Sequence, residues 1–154
     1  MINIIVATSI NGIIGDKDKN NLPWKNHYKN DLIRFKNLTL NSTVVMGKNT
    51  YLSIGRELPN RKNIIISKTL KDNKLDIRTS LVEVIDKEKD LWIIGGKELY
   101  KEGLKYADNI YLTIIPEIVD INNPIDMFFI NPEYFEIINI EEDNSVKFYN
   151  YKRK

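Results

Sequence analysis

The sequence predicts an α/β fold with a mostly parallel central sheet, an antiparallel C-terminal hairpin and about four flanking helices. Three observations carry the prediction. Apolar, β-branched runs alternate with helix-compatible stretches from the first residue onward, the pattern of strand–helix–strand units. The runs are continuous, with no regular polar alternation, as expected of strands covered on both faces. Near the C-terminus two runs flank Asp143-Asn144 and read as a hairpin that closes the sheet edge.

In chain order, Ile2 to Thr8 is the first buried strand. Asn11-Gly12 and Gly15 break the pattern, and a polar loop continues to Trp24. Asn26 to Thr39 is predicted helical, ending before Asn41-Ser42. Thr43 to Gly47 is a second short strand and Lys48 to Ile54 a short helix, followed by turns at Gly55, Pro59 and Asn60. Arg61 to Ser67 holds a third strand centred on Ile64-Ile65-Ile66, and Asp76 to Arg78 a weak one. Ser80 to Glu88 is a helix, with Ser80 as N-cap and Glu83 three residues on, as in a capping box. Leu91 to Ile94 is a strand, Gly95-Gly96 a tight turn and Lys97 to Leu104 a helix. Ile110 to Ile115 is a strand, and Phe135 to Glu141 with Val146 to Tyr151 form the hairpin. No linker, repeat or low-complexity segment divides the chain, so residues 1–154 read as one domain large enough to bury a core.

Composition narrows the chemistry. A net charge of +2 implies no general attraction to nucleic acid or to a membrane surface. The absence of cysteine excludes disulfides, thiolate catalysis and zinc–thiolate sites, and a single histidine, His27, cannot form a cluster. His27 itself reads as a solvent-facing residue near a helix start. No apolar run is long enough to span a bilayer, and a cytoplasmic location is the default expectation.

Asp31 is the residue that stands out. In the predicted helix, Tyr28, Asp31, Leu32, Phe35 and Leu38 share a face. A carboxylate on an apolar stripe is costly to desolvate unless something binds it. It has either a structural partner, such as Arg34, or a ligand that carries hydrogen-bond donors. Two strand–glycine–helix transitions, Gly47-Lys48-Asn49-Thr50 and Gly95-Gly96-Lys97-Glu98, offer free amides at helix starts and close backbone approach, a combination suited to phosphate. Each is a weak signal alone; two from neighbouring strands are stronger. The irregular stretch after Gly15 has the length of a lid.

These pieces together resemble dihydrofolate reductase. The matching segments are Ile5-Val6-Ala7, Gly12-Ile13-Ile14-Gly15, Leu22-Pro23-Trp24, Asp31-Leu32 with Phe35-Lys36, Val44 to Thr50, Ser53 to Arg56, Leu58-Pro59, Arg61-Lys62-Asn63, Trp92 to Gly96 with Tyr100, and Tyr111-Leu112-Thr113. They occur in the family's order up to about Thr113; the last forty residues match loosely. The resemblance implies a single-domain dihydrofolate-reductase-like fold that transfers hydride from NADPH to 7,8-dihydrofolate, with no metal. It makes Asp31 the pterin anchor and the support for N5 protonation, assisted by Trp24, Thr113 and Leu22. Ile5, Val6, Leu32, Phe35, Ile54, Leu58 and Ile94 would surround the substrate, and Arg61 would pair with the carboxylate of its glutamate tail. Ala7, Ile14, Gly15 and Ile94 would meet the nicotinamide. Gly47, Lys48, Asn49, Thr50, Gly95, Gly96, Lys97, Glu98, Leu99 and Tyr100 would line the rest of the cofactor site, with Lys48, Ser67 and Lys68 at the 2′-phosphate. Diaminopyrimidine or pteridine antifolates are implied ligands, and a monomer is the family default.

The chain departs from the family pattern in four places. Lys48 stands where many relatives carry arginine, and Glu98 where some carry a base. The loop between Gly15 and Asp31 is longer than in compact bacterial relatives. In the stretch from Glu117 to Ile130, Asp126 keeps the acid of a Gly-Asp-Thr motif but its glycine, threonine and proline are lost. A pyrimidine reductase of the same fold is the competing enzyme; Asp31, Arg61 and Leu22-Pro23-Trp24 argue against it.

Overall fold

The structure, a computed structural model, describes all residues from Met1 to Lys154. In chain order the elements are β1 (Ile2–Ser9), β2 (Ile13–Asp16), α1 (Lys29–Thr39), β3 (Thr43–Gly47), α2 (Lys48–Ile54), β4 (Lys62–Ile66), β5 (Asp76–Arg78), α3 (Leu81–Lys87), β6 (Leu91–Ile93), α4 (Lys97–Gly103), β7 (Asn109–Ile115), β8 (Pro124–Asp126), β9 (Phe135–Asp143) and β10 (Val146–Arg153). Eight strands form one sheet in the order β5-β4-β3-β6-β1-β7-β10-β9. From β5 to β7 all pairings are parallel; β10 pairs antiparallel with β7 and with β9. This is the mixed sheet that the continuous Val/Ile runs predict.

The sheet separates two apolar layers. Ile4, Val6, Val45, Ile64, Ile93 and Ile110 face one, packed with Leu81, Val84, Leu99 and Tyr100 from α3 and α4. Ile5, Val44, Met46, Ile65 and Trp92 face the other, beneath Phe35 and Leu38 of α1 and Ile54 of α2. The period-two alternation of β1 thus sends Ile4 and Val6 to one layer and Ile5 to the opposite one.

Four sequence expectations are corrected. The helix expected from Asn26 begins at Lys29, because Trp24 to Asn26 form a turn: Lys25 N–H donates to Leu22 O at 2.9 Å and Lys25 takes φ 55°. Tyr28 is therefore the N-cap and not part of the helical stripe. The polar loop after Gly12 contains β2, which pairs antiparallel with β8 in a separate two-stranded ribbon, bringing Ile13 opposite Asp126 and Gly15 opposite Ile125. The C-terminal hairpin turns at Asn144-Ser145, one residue later than expected, with φ of 50° and 68°; both central residues of such a turn need positive φ. In α3, the Ser80 side chain accepts from Glu83 N–H at 3.3 Å, so one half of the capping box is in place.

Candidate active site

The site forms at the C-terminal ends of the parallel strands, where α1, α2 and α4 meet the sheet. On the cofactor side the two glycine turns lie against each other. Gly47 N–H donates to Gly95 O at 2.8 Å, and Ile94 N–H to Val45 O at 3.0 Å. Gly95 has φ 135°, and the Gly95–Gly96 peptide is cis. A Cβ on Gly95 would lie 3.0 Å from Thr50 Oγ1 and 3.5 Å from the Tyr100 hydroxyl. The backbone here comes closer than side chains permit, which is why glycine occupies the turn. Gly47 and Gly96 are the N-caps of α2 and α4, and neither helix has a side-chain cap, whereas α3, outside this corner, has Ser80. The first amides of α2 and α4 are thus left without a side-chain cap, an arrangement suited to a phosphate. Beyond them, Lys48 Nζ donates to Thr69 Oγ1 at 3.4 Å, and Ser67 Oγ lies 3.5 Å from the same hydroxyl.

The substrate side is built from side chains. Asp31 enters from the first turn of α1 and is half-buried. Desolvation raises its pKa above the ordinary carboxylate value; the facing Thr113 hydroxyl and the charge of Arg34 oppose that shift. No cation lies within 4.0 Å: the ion pairs of the molecule are Met1–Asp90, Lys62–Glu88 and Arg78–Asp76. The structural partner that could have satisfied Asp31 is therefore missing. Thr113 is buried on β7, directly beside Ala7 of β1 and Phe148 of β10. Tyr100, fully buried in α4, donates its hydroxyl to Ile5 O at 2.8 Å, and burial and the Asp31 charge push its pKa far up. Trp24 is 2% exposed and packs with Ile115, Phe148, Ala7 and Tyr28.

Ile5, Phe35, Ile54, Leu58 and Ile94 share one apolar cluster, as a wall for a planar ring requires. Leu32, on the same helix as Asp31, stays 42% exposed at the rim. Arg61 donates through Nε to Pro59 O at 3.0 Å and through Nη1 to Thr39 Oγ1 at 3.1 Å, with no acidic partner. Burial pushes its pKa down, and its remaining donors are available to a carboxylate.

Other expected residues are placed differently. Val6, Ile14 and Leu99 turn their side chains into the core on the opposite sheet face from Ile5, so Val6 and Ile14 can serve a ligand only through their backbone. Lys68 and Glu98 are exposed, Leu22 is 40% exposed on the lid, and Gly15 packs in the ribbon with Ile125. The lid reaches the cofactor corner: Asn20 Nδ2 donates to Asn49 O at 3.0 Å. His27 is exposed, as expected. Sequence reading missed Thr69, although Ser67-x-Thr69 is a hydroxyl-turn spacing, and Phe128, whose ring centroid lies 5.1 Å from that of Tyr100. It also missed Glu117, whose carboxylate faces Tyr28 and pushes that phenol up to about 12.

Two glycine turns at the C-terminal ends of the parallel strands, with a cation-free carboxylate on α1, place the protein among α/β folds with a ligand site at the carboxyl ends of their strands. The dihydrofolate reductase family model matches residues 1–153. A dihydrofolate reductase of Bacillus subtilis is 41% identical over 121 residues, 75% of this chain and 69% of its own length. One of Haemophilus influenzae is 40% identical over 140 residues, 87% of this chain and 82% of its own. The solved structure of the Enterococcus faecalis dihydrofolate reductase, complexed with NADP(H) and RAB-propyl, superposes with a TM-score of 0.85 at 27% identity, covering 100% of this chain and 96% of that one. The chain belongs to the dihydrofolate reductase family.

Proposed function

We propose that this chain reduces 7,8-dihydrofolate to 5,6,7,8-tetrahydrofolate with NADPH, and that Asp31 supports protonation at N5. The observation that carries the reading is Asp31 itself: desolvated, facing the Thr113 hydroxyl and without a cation within 4.0 Å. A carboxylate so placed accepts two hydrogen bonds from the amino-amidine edge of a pterin. Desolvation raises its pKa above the ordinary carboxylate value, and in this reading it supports protonation of N5 through water and not by contact. When bound, NADPH supplies the hydride that adds at C6.

The remaining residues orient and exclude. Ile5, Phe35, Ile54, Leu58 and Ile94 press on the ring system, Leu32 closes its rim, and Arg61 takes the carboxylate of the glutamate tail. The backbone of Ala7, Ile14 and Ile94 reads the nicotinamide carboxamide, with Gly15 and Leu22 closing over it. Gly47, Asn49, Thr50, Gly95, Gly96 and Lys97 hold the pyrophosphate corner, and Lys48, Ser67 and Lys68 the 2′-phosphate. The same reading makes residues 1–154 one domain, acting as a cytoplasmic monomer that diaminopyrimidine and pteridine antifolates inhibit. No helix is long and apolar enough to cross a membrane.

A steady-state assay tests the reaction. Loss of NADPH absorbance should require dihydrofolate and stop on addition of a diaminopyrimidine antifolate. Turnover with a pyrimidine of riboflavin synthesis in place of dihydrofolate, or no turnover with either, overturns the proposal.

A further inference from the structure

Arg34 is the half-buried charged group on α1 that the site has not absorbed; Lys29 and Lys36 of the same helix are exposed. It lies one helical turn beyond Asp31, on the same side. Its guanidinium carbon sits 4.6 Å from the Phe148 ring centroid and 5.7 Å from that of Tyr111, while Nη2 donates to Asn150 Oδ1 at 2.6 Å. Phe148 is paired with Thr113 across β7 and β10, and Asn150 with Tyr111. The α1 face therefore lies along one sheet surface, Asp31 over Thr113 and Arg34 over the adjoining Tyr111–Phe148–Asn150 floor. Arg34 Nη1 is buried without a partner, and no carboxylate stands within 4.0 Å of the guanidinium. A half-buried cation held this way is poorly screened, and a guanidinium does not discharge by losing its proton.

We propose that Arg34 is an electrostatic positioning residue for Asp31: fixed on its aromatic floor by Asn150, it holds the carboxylate toward the ionised form and sets the pH window of turnover. The proposal rests on the role assigned to Asp31. Burial alone drives that carboxyl toward its neutral form; the uncompensated guanidinium is the charge that opposes it. The other titratable groups facing the pair are Tyr100 of α4 toward Asp31, and Tyr111 of β7 and Glu141 of β9 toward Arg34. Glu142 and Asp143 line the solvent side of the groove beside Arg34. Of these acids, Glu141, Glu142 and Asp143 are solvent-exposed on the hairpin, where water screens them.

The test is a titration of the Asp31 carboxyl carbon by NMR in the ligand-free protein, set beside the pH profile of turnover. Arg34→Met removes the charge and keeps much of the apolar stem. It should raise the Asp31 midpoint by about half a pH unit or more, and move the basic limb of turnover the same way. Arg34→Lys should leave the midpoint near that of the parent, even if it folds less stably. Asn150→Ala, which frees the guanidinium from its tether, should raise the midpoint by less, and carries the test if Arg34→Met does not fold. An unmoved Asp31 midpoint in the folded variants overturns the proposal. Full activity of Asp31→Asn would instead overturn the catalytic reading of Asp31, while the NMR midpoints would still report on Arg34.

Discussion

The two sides of the site are made of different material. The cofactor side is backbone: Gly47, Gly95 and Gly96 leave amides and close approach where side chains would intrude. The substrate side is a few charged side chains, Asp31, Arg34 and Arg61, that the fold leaves without ion-pair partners. Under the proposed function, the difference means that the cofactor is held by backbone geometry, while recognition of the heterocycle rests on charges that cost stability to bury. Substitutions on the two sides should therefore fail differently.

The largest effect belongs to Asp31. Asp31→Asn should cut kcat at neutral pH by about 10²–10⁴, and raise thermal stability. The sign follows from desolvation. The folded carboxyl binds its proton up to a higher pH than the unfolded one, so stability falls as pH rises through that interval. The thermal advantage of the asparagine variant should be full above the raised pKa and vanish on acidification toward about pH 4. Paired melting curves at neutral and acid pH check it; a variant that loses activity and stability together would place Asp31 among structural residues.

Next is Arg61. If its free donors take the substrate's carboxylate as proposed, the charge-assisted contact is worth about 1.5–3 kcal/mol, so Arg61→Ala should raise KM for dihydrofolate about 10- to 100-fold with kcat little changed. Arg61→Lys should recover only part of the loss, because an ammonium cannot reproduce the fork. Initial-rate measurements against dihydrofolate concentration separate these outcomes.

The backbone side should show the opposite coupling. Gly95→Ala forces a side chain into φ 135° with its Cβ 3.0 Å from Thr50 Oγ1. It should cost about 1–3 kcal/mol of stability and raise KM for NADPH about tenfold, leaving KM for dihydrofolate nearly unchanged. Denaturant melts with both KM values test whether stability and cofactor binding fall together here, as they should not at Arg61.

Much of this contrast is legible in the sequence, and what is not has physical causes. Apart from the weak β5, the parallel strands announce themselves through apolar, mostly β-branched runs, and β3, α2 and β5 end where the residues imply. Asp31 is legible because a carboxylate on an apolar stripe is costly wherever it lies. The β2–β8 ribbon is not, because its short strands meet by pairing Ile13, Gly15 and Asp16 with Asp126, Ile125 and Pro124, more than a hundred residues away, and neither carries a pattern of its own. The start of α1 is equally hidden: the turn at Lys25 ends the helical reading of Asn26 to Tyr28. The Arg34 environment depends on β10 lying beside β7; the C-terminal residues show a hairpin that closes the sheet edge, but not which strand it joins or that Asn150 meets Arg34.

The smallest effect tests the one place where the cofactor side also uses charge. Lys48 reaches Thr69, which lies beside Ser67, and in the proposed reading it offers the 2′-phosphate a point charge instead of a fork. An exposed ammonium of this kind contributes on the order of 1 kcal/mol, so Lys48→Gln should lower the preference for NADPH over NADH roughly five- to tenfold. The preference of the parent should itself narrow as ionic strength rises, because the contact is exposed and screened. Glu98, exposed in the first turn of α4, bears the opposite charge, and Glu98→Gln should move the preference slightly the other way. Comparing kcat/KM for the two cofactors at low and high salt measures both. A preference unchanged by Lys48→Gln would make this corner, like the rest of the cofactor side, a matter of backbone alone.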